Sequence, residues 1–257
     1  MIAMLRRCLW RLRGFLCKAP AAVTLVLVCL FVFLVVETAS RTVFVQGYNF
    51  GQVLVSCFGL NGALFLNGFY WQPLTYMFLH ANWAHLGLNM LTVLLFGSGL
   101  EADIGCRRFW QVFLVGGVVG GLGWLAITAA LPFLPPAAVL TQWMPQAARA
   151  WLGAGDASRR SLGTALCVGA SGGVFALIGA YAALFPRREV YLFIPFPVRM
   201  KARTLAWVLG VVTVAEATLV QSQVAYAAHL AGGLGGWLLG MRMRRAVALT
   251  PWQRWWM

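Results

Sequence analysis

The chain has 257 residues, of which 61% are hydrophobic and 10% charged, with a mean hydropathy of +0.79 and a net charge of +14. That balance lies far outside the range of a water-soluble globular domain and places the chain in lipid. The positive excess does not point to nucleic acid, because the basic residues sit in short clusters between apolar runs instead of on one soluble face.

Taken in chain order, six apolar segments are predicted to cross a hydrocarbon layer of roughly 30 Å: residues 21–36, 84–100, 109–131, 168–185, 204–220 and 224–241. The first follows a basic cluster, Arg6, Arg7, Arg11, Arg13 and Lys18, and precedes Thr38-Ala39-Ser40. That order also admits a cleaved signal peptide, although the run is longer than the ~7–15 residues of a signal core and its removal would leave five spans. Residues 38–83 are rich in aromatics and Gly and nearly free of charge, which suits the membrane interface better than a span.

Orientation follows from Lys and Arg, which are retained on the cytoplasmic side. With the N-terminus inside, the remaining clusters also fall inside: Arg107 and Arg108; Arg187, Arg188, Arg199, Lys201 and Arg203; and Arg242, Arg244, Arg245 and Arg254. Only Arg41, Arg149, Arg159 and Arg160 fall outside. The expectation is an all-α membrane protein of six helices with both termini cytoplasmic, folded as one domain over 1–257. The outer segment 132–167 reads as a loop. Cys8, Cys17, Cys29, Cys57, Cys106 and Cys167 lack metal-type spacing, and only Cys57 and Cys167 could meet on the outer side.

Polar groups inside lipid are costly unless paired, so the few present are candidates for function. Gly169-Ala170-Ser171-Gly172-Gly173 opens the fourth segment. A serine among small residues at a helix start has an uncrowded hydroxyl beside unpaired backbone N–H groups that can hold an oxyanion. Small residues there equally serve close helix packing. His229, in Ala228-His229-Leu230-Ala231-Gly232, could take a serine proton, or could be a buried histidine bonded to a carbonyl. Gly232 and Gly236 share a face near it, where a neighbouring helix could come very close, and the fourth segment is the natural neighbour. His85 and Asn89, four apart at the start of the second segment, share a face and can both donate hydrogen bonds, to an oxyanion or to adjacent helices. The histidines His80, His85 and His229 bring no carboxylate or thiolate close in sequence, so no metal is expected.

Together these segments resemble the rhomboid intramembrane proteases: H-x4-H-x3-N at His80, His85 and Asn89, G-x-S-G from Gly169 to Gly172, and A-H-x2-G-x3-G from Ala228 to Gly236. The resemblance implies that Ser171 is the nucleophile and His229 the general base and acid. It assigns His85, Asn89 and the Ser171 N–H to the oxyanion side, and His80 to support of the first outer loop. It also implies a site open to the outer side of a bacterial inner membrane, no cofactor, and membrane-protein substrates with helix-destabilised transmembrane segments that enter by movement of the fifth helix and of a cap near Gln221 to Gln223. An inactive rhomboid-like protein that binds membrane helices is the alternative, and the presence of both Ser171 and His229 argues against it. Two positions depart from the family pattern. Trp71 is followed by Gln72 where rhomboids commonly carry Arg, and Phe175 stands where a Tyr often stacks on the histidine. Glu216 is the one carboxylate expected well inside a span, and a structural role suits it better than catalysis.

Overall fold

The computed structural model describes residues 19–45, 48–130, 165–192, 198–219 and 226–247. The N-terminal basic cluster, most of the outer segment with Arg149, Arg159 and Arg160, and the Gln221 to Gln223 cap lie outside the described residues, as does the Glu216 side chain. Among the described residues, three helices are long and apolar enough to cross a membrane: α1 (Pro20–Thr42), then, after a long connecting segment, α5 (Trp83–Ile104) and α6 (Cys106–Ala130). The segment between α1 and α5 holds a hairpin of β1 (Phe44–Val45) and β2 (Tyr48–Asn49), followed by short helices α2 (Phe50–Phe58), α3 (Gly62–Leu66) and α4 (Gln72–Thr75). Beyond it come α7 (Ser171–Leu184), a hairpin of β3 (Glu189–Leu192) and β4 (Val198–Lys201), α8 (Ala202–Leu219) and α9 (Tyr226–Val247).

The chain is an integral, multi-pass membrane protein. Its helices are local consequences of the sequence. Asn49, Asn61 and Asn82 cap α2, α3 and α5, each accepting a hydrogen bond from a backbone N–H three residues on. Pro20 opens α1, where a missing N–H costs nothing. Apolar content and length alone then carry α1 and α6 across lipid. The two hairpins depart from the all-α expectation, and the second braces the Arg187–Arg203 side: Arg188 pairs with Asp103 and Arg199 with Glu189.

α7 lies at the centre and is buried along most of its length. It can sit there because its neighbours carry glycines where the backbones meet. A β-carbon at Gly232 would lie 2.3 Å from the Gly172 carbonyl oxygen, and one at Gly236 would lie 2.0 Å from that of Ala176. On the other side, a β-carbon at Gly116 of α6 would meet the Ala176 methyl at 2.1 Å. No side chain larger than hydrogen fits these contacts, which bring backbones together as small residues do in lipid.

The second helix runs past the expected end at residue 100, through a π-helical turn at Val93–Gly97, to Ile104. It therefore carries a carboxylate that sequence reading left at a boundary. Glu101 is 3% exposed and accepts from the N–H groups of Ala21 and Ala22, both at 2.8 Å. A negative charge here satisfies two orphan donors and meets the positive end of the α1 dipole. Cys57 and Cys167 are both free thiols, as are the other described cysteines, Cys29 and Cys106.

Glu101→Ala removes this cap and leaves two buried donors unpaired, a loss of about 2 kcal/mol. Thermal unfolding in detergent, followed by circular dichroism, should show a lowered Tm. Glu101→Gln, which keeps one acceptor, should fall between the two.

Candidate active site

The site begins at a sharp turn ahead of α7. Leu60 and Cys167 exchange two backbone hydrogen bonds of 2.9 Å, and the Gly169 N–H donates to the Tyr76 carbonyl at 2.9 Å. Gly169 has φ +129°, a conformation that favours glycine. The chain then enters the helix at Ser171. The first helical bond runs from Val174 N to Ala170 O at 2.9 Å, which leaves the N–H groups of Ser171, Gly172 and Gly173 without an intrahelical acceptor.

His229 stands in the first turn of α9, and its Nε2 lies 2.8 Å from Ser171 Oγ. Its ring lies flat on Phe175, one turn below the serine, with centroids 4.5 Å apart and planes 4° from parallel. Stacking and the Ser171 contact together define the ring's orientation. No carboxylate contacts this ring among the described residues. The serine and histidine are thus paired by the same backbone approach that Gly232 and Gly236 allow.

His85 borders the same spot. A β-carbon on Gly169 would sit 2.7 Å from His85 Nε2 and 3.8 Å from Ser171 Oγ, so the glycine separates ring and hydroxyl by the smallest possible group. Asn89 is buried on the next turn, and its Nδ2 donates to the His85 carbonyl at 2.9 Å. One N–H of that amide is occupied by its own helix and the second remains for another acceptor. His80 lies edge-on to His85, with ring centroids 5.2 Å apart. It is buried, and neither ring nitrogen makes a well-formed hydrogen bond among the described residues.

The loop above the site is pinned without charge. Trp71 Nε1 donates to the Cys57 carbonyl at 3.0 Å. Gln72, fully buried, accepts from the Asn61 N–H at 3.1 Å and donates to the carbonyls of Ser56 and Cys57 at 3.2 and 3.3 Å. Gln72 thus anchors the loop through neutral bonds: an amide supplies both donor and acceptor, where a guanidinium could only donate. Tyr76, which sequence reading passed over, donates its hydroxyl to the Gly117 carbonyl at 2.8 Å. A β-carbon on Gly172 would meet that hydroxyl at 2.6 Å, so Tyr76 fills the corner between α6 and α7. Its only sequence signal was a hydroxyl just ahead of the His80 motif.

Burial, with a smaller push from His85 against the opposing Phe78 backbone, holds the His80 imidazole below its ordinary pKa of 6.5. The unfolded chain therefore binds the proton more readily, and this residue's contribution to stability falls as pH drops below about 6.5. His80→Leu should keep the Tm at about pH 7 and flatten its decline toward about pH 5, as read by thermal unfolding across that range.

A rhomboid-domain profile matches residues 67–246. The chain is 30% identical over 174 residues to "Rhomboid protein 1, mitochondrial" of Saccharomyces cerevisiae, covering 66% of this chain and 41% of that protein. It is 26% identical over 195 residues to "Putative rhomboid protease YdcA" of Bacillus subtilis, covering 76% of this chain and 71% of that one. With "Rhomboid-related protein 3" of Homo sapiens it shares 34% identity over 113 residues, 44% of this chain and 20% of that one. It thus spans less than half the length of the yeast relative and about seven-tenths of the Bacillus one. The matched region runs from just before Trp71 to beyond Gly236 and encloses the whole Ser171–His229 site: the chain belongs to the rhomboid family.

Proposed function

We propose that this protein is an intramembrane serine protease that hydrolyses peptide bonds in or beside transmembrane segments through a Ser171–His229 dyad. The observation that carries this reading is the 2.8 Å contact between His229 Nε2 and Ser171 Oγ, at a helix start whose first N–H groups lack an intrahelical acceptor. His229 takes the hydroxyl proton as Ser171 Oγ bonds to the scissile carbonyl carbon. The resulting oxyanion accepts hydrogen bonds from the Ser171 N–H and from His85 and Asn89. As the intermediate collapses, the C–N bond breaks and His229 returns the proton to the leaving amine. Water, deprotonated by the same ring, then releases the acyl group from Ser171. Phe175 keeps the imidazole aligned through both halves, a task in which other serine hydrolases employ a carboxylate.

In the same proposal the chain folds as one domain of six spans, with both termini cytoplasmic and the site reached by water from the outer side of a bacterial inner membrane. α7 supports this, because 14 residues extend only about 21 Å, short of a ~30 Å layer. The basic residues near the Arg188 hairpin and the end of α9 support the orientation. Substrate segments weakened by Gly or Pro are favoured, since an intact helix hides its carbonyls in its own hydrogen bonds.

Purified protein in liposomes, given a single-span reporter and a fluorophosphonate probe, tests the proposal. Cleavage and labelling should both occur, and Ser171→Ala or His229→Ala should lower cleavage by about 10³-fold or more. Full cleavage by either variant overturns the dyad. An inactive binding protein would neither label nor cut, and equal cutting of a strongly helical control would overturn the substrate preference.

A further inference from the structure

α8 stands away from the bundle. Among its described side chains Ala202, Leu205 and Thr213 are buried, while Trp207 is 76% exposed. Between it and α7 and α9 lies a cleft of about 580 Å³ with almost wholly apolar walls, including Trp207, Gly210, Leu234 and Trp237. One end reaches Phe175 and His229, and the other reaches Arg203, in the first turn of α8, and Arg244, near the end of α9. The described carboxylates are all engaged elsewhere: Glu37 with Arg41, Glu101 with the α1 N-terminus, Asp103 with Arg188 and Glu189 with Arg199. Among the described residues, two guanidiniums without a carboxylate partner thus border one end of an apolar slot.

We infer that this cleft holds an acyl chain of an anionic glycerophospholipid, with its phosphate between Arg203 and Arg244. Length, volume and charge agree on that occupant. From residue 244 to residue 229 a helix rises about 22 Å, the depth of one leaflet with its headgroups. A helical peptide needs a cylinder of about 10 Å diameter, so 580 Å³ would take only about 7 Å of one. A single flexible hydrocarbon chain needs no such width. Guanidinium groups offer paired N–H donors to phosphate oxygens, and basic pockets between membrane helices select anionic headgroups on this electrostatic ground. The tip of the chain then abuts the Phe175–His229 stack.

The test reconstitutes the full chain in vesicles of equal phosphatidylcholine and phosphatidylglycerol, extracts it in mild detergent and measures retained lipid by mass spectrometry. Wild type should retain phosphatidylglycerol preferentially. The Arg203→Gln/Arg244→Gln variant should lose at least about fivefold of that retention. Gly210→Leu is the independent variant: a β-carbon there meets nothing within 4 Å, so the larger side chain enters the cleft without displacing backbone. It should lower retention with both arginines intact, and circular dichroism verifies that each variant keeps its helices. Equal retention of the two lipids overturns the inference, as does undiminished phosphatidylglycerol in either folded variant. So does crosslinking of a transmembrane reporter peptide, in place of lipid, from a photoreactive side chain at position 207.

Discussion

The closeness of the α7 and α9 backbones governs the rest of the structure. Lipid supplies no hydrophobic drive for two apolar helices to associate, so contact must come from packing and from polar groups brought within reach. Gly232 and Gly236 remove every atom that would hold α9 away from Gly172 and Ala176. The rise per residue then fixes His229 less than one turn above Gly232, level with the start of α7. The Ser171–His229 contact is a register between two helices before it is a pairing of side chains. A fault anywhere along that seam would be felt at the hydroxyl.

Around this seam the described residues satisfy buried polar groups one by one, with the His80 ring as the exception. Gln72 closes the loop against Ser56, Cys57 and Asn61, Tyr76 ties its base to Gly117, and the Leu60–Cys167 bridge leads the chain toward Ser171. At the opposite face Glu101 secures the start of α1. The Tyr76, Leu60–Cys167 and Glu101 links join segments far apart in sequence. In a medium without water to compete, such links specify which helix lies beside which.

The sequence made the site's parts legible because each carries local chemistry. The G-x-S-G turn, the shared face of His85 and Asn89 and the paired glycines of α9 are all readable as spacings. The stacking of Phe175 came only from the family resemblance, which places a ring at that position, and the rings do lie parallel. Helix ends and long-range polar links were not legible. Hydropathy falls just at Glu101 and marks a boundary there, although the helix continues to Ile104 and the carboxylate turns inward to another helix's N-terminus. Gln72 was read as a missing charge, whereas its donor and acceptor both find backbone. The β3–β4 hairpin escaped because four-residue strands flanked by basic residues carry little periodic signal.

The short central helix also makes the protein sensitive to the thickness of its host. If α7 begins beneath the outer surface, the depth of the water-filled hollow is the difference between a ~30 Å layer and a helix of about 21 Å, roughly 9 Å. The longer helices α1, α5 and α6 are matched to the bilayer and can tilt as it changes, while α7 is clasped by its glycine contacts and cannot. A thinner membrane would bring Ser171 nearer to bulk water and a thicker one would sink it. Under the proposed function, the lipid composition of the surroundings would then act as a dial on how far a peptide bond must descend to reach the serine.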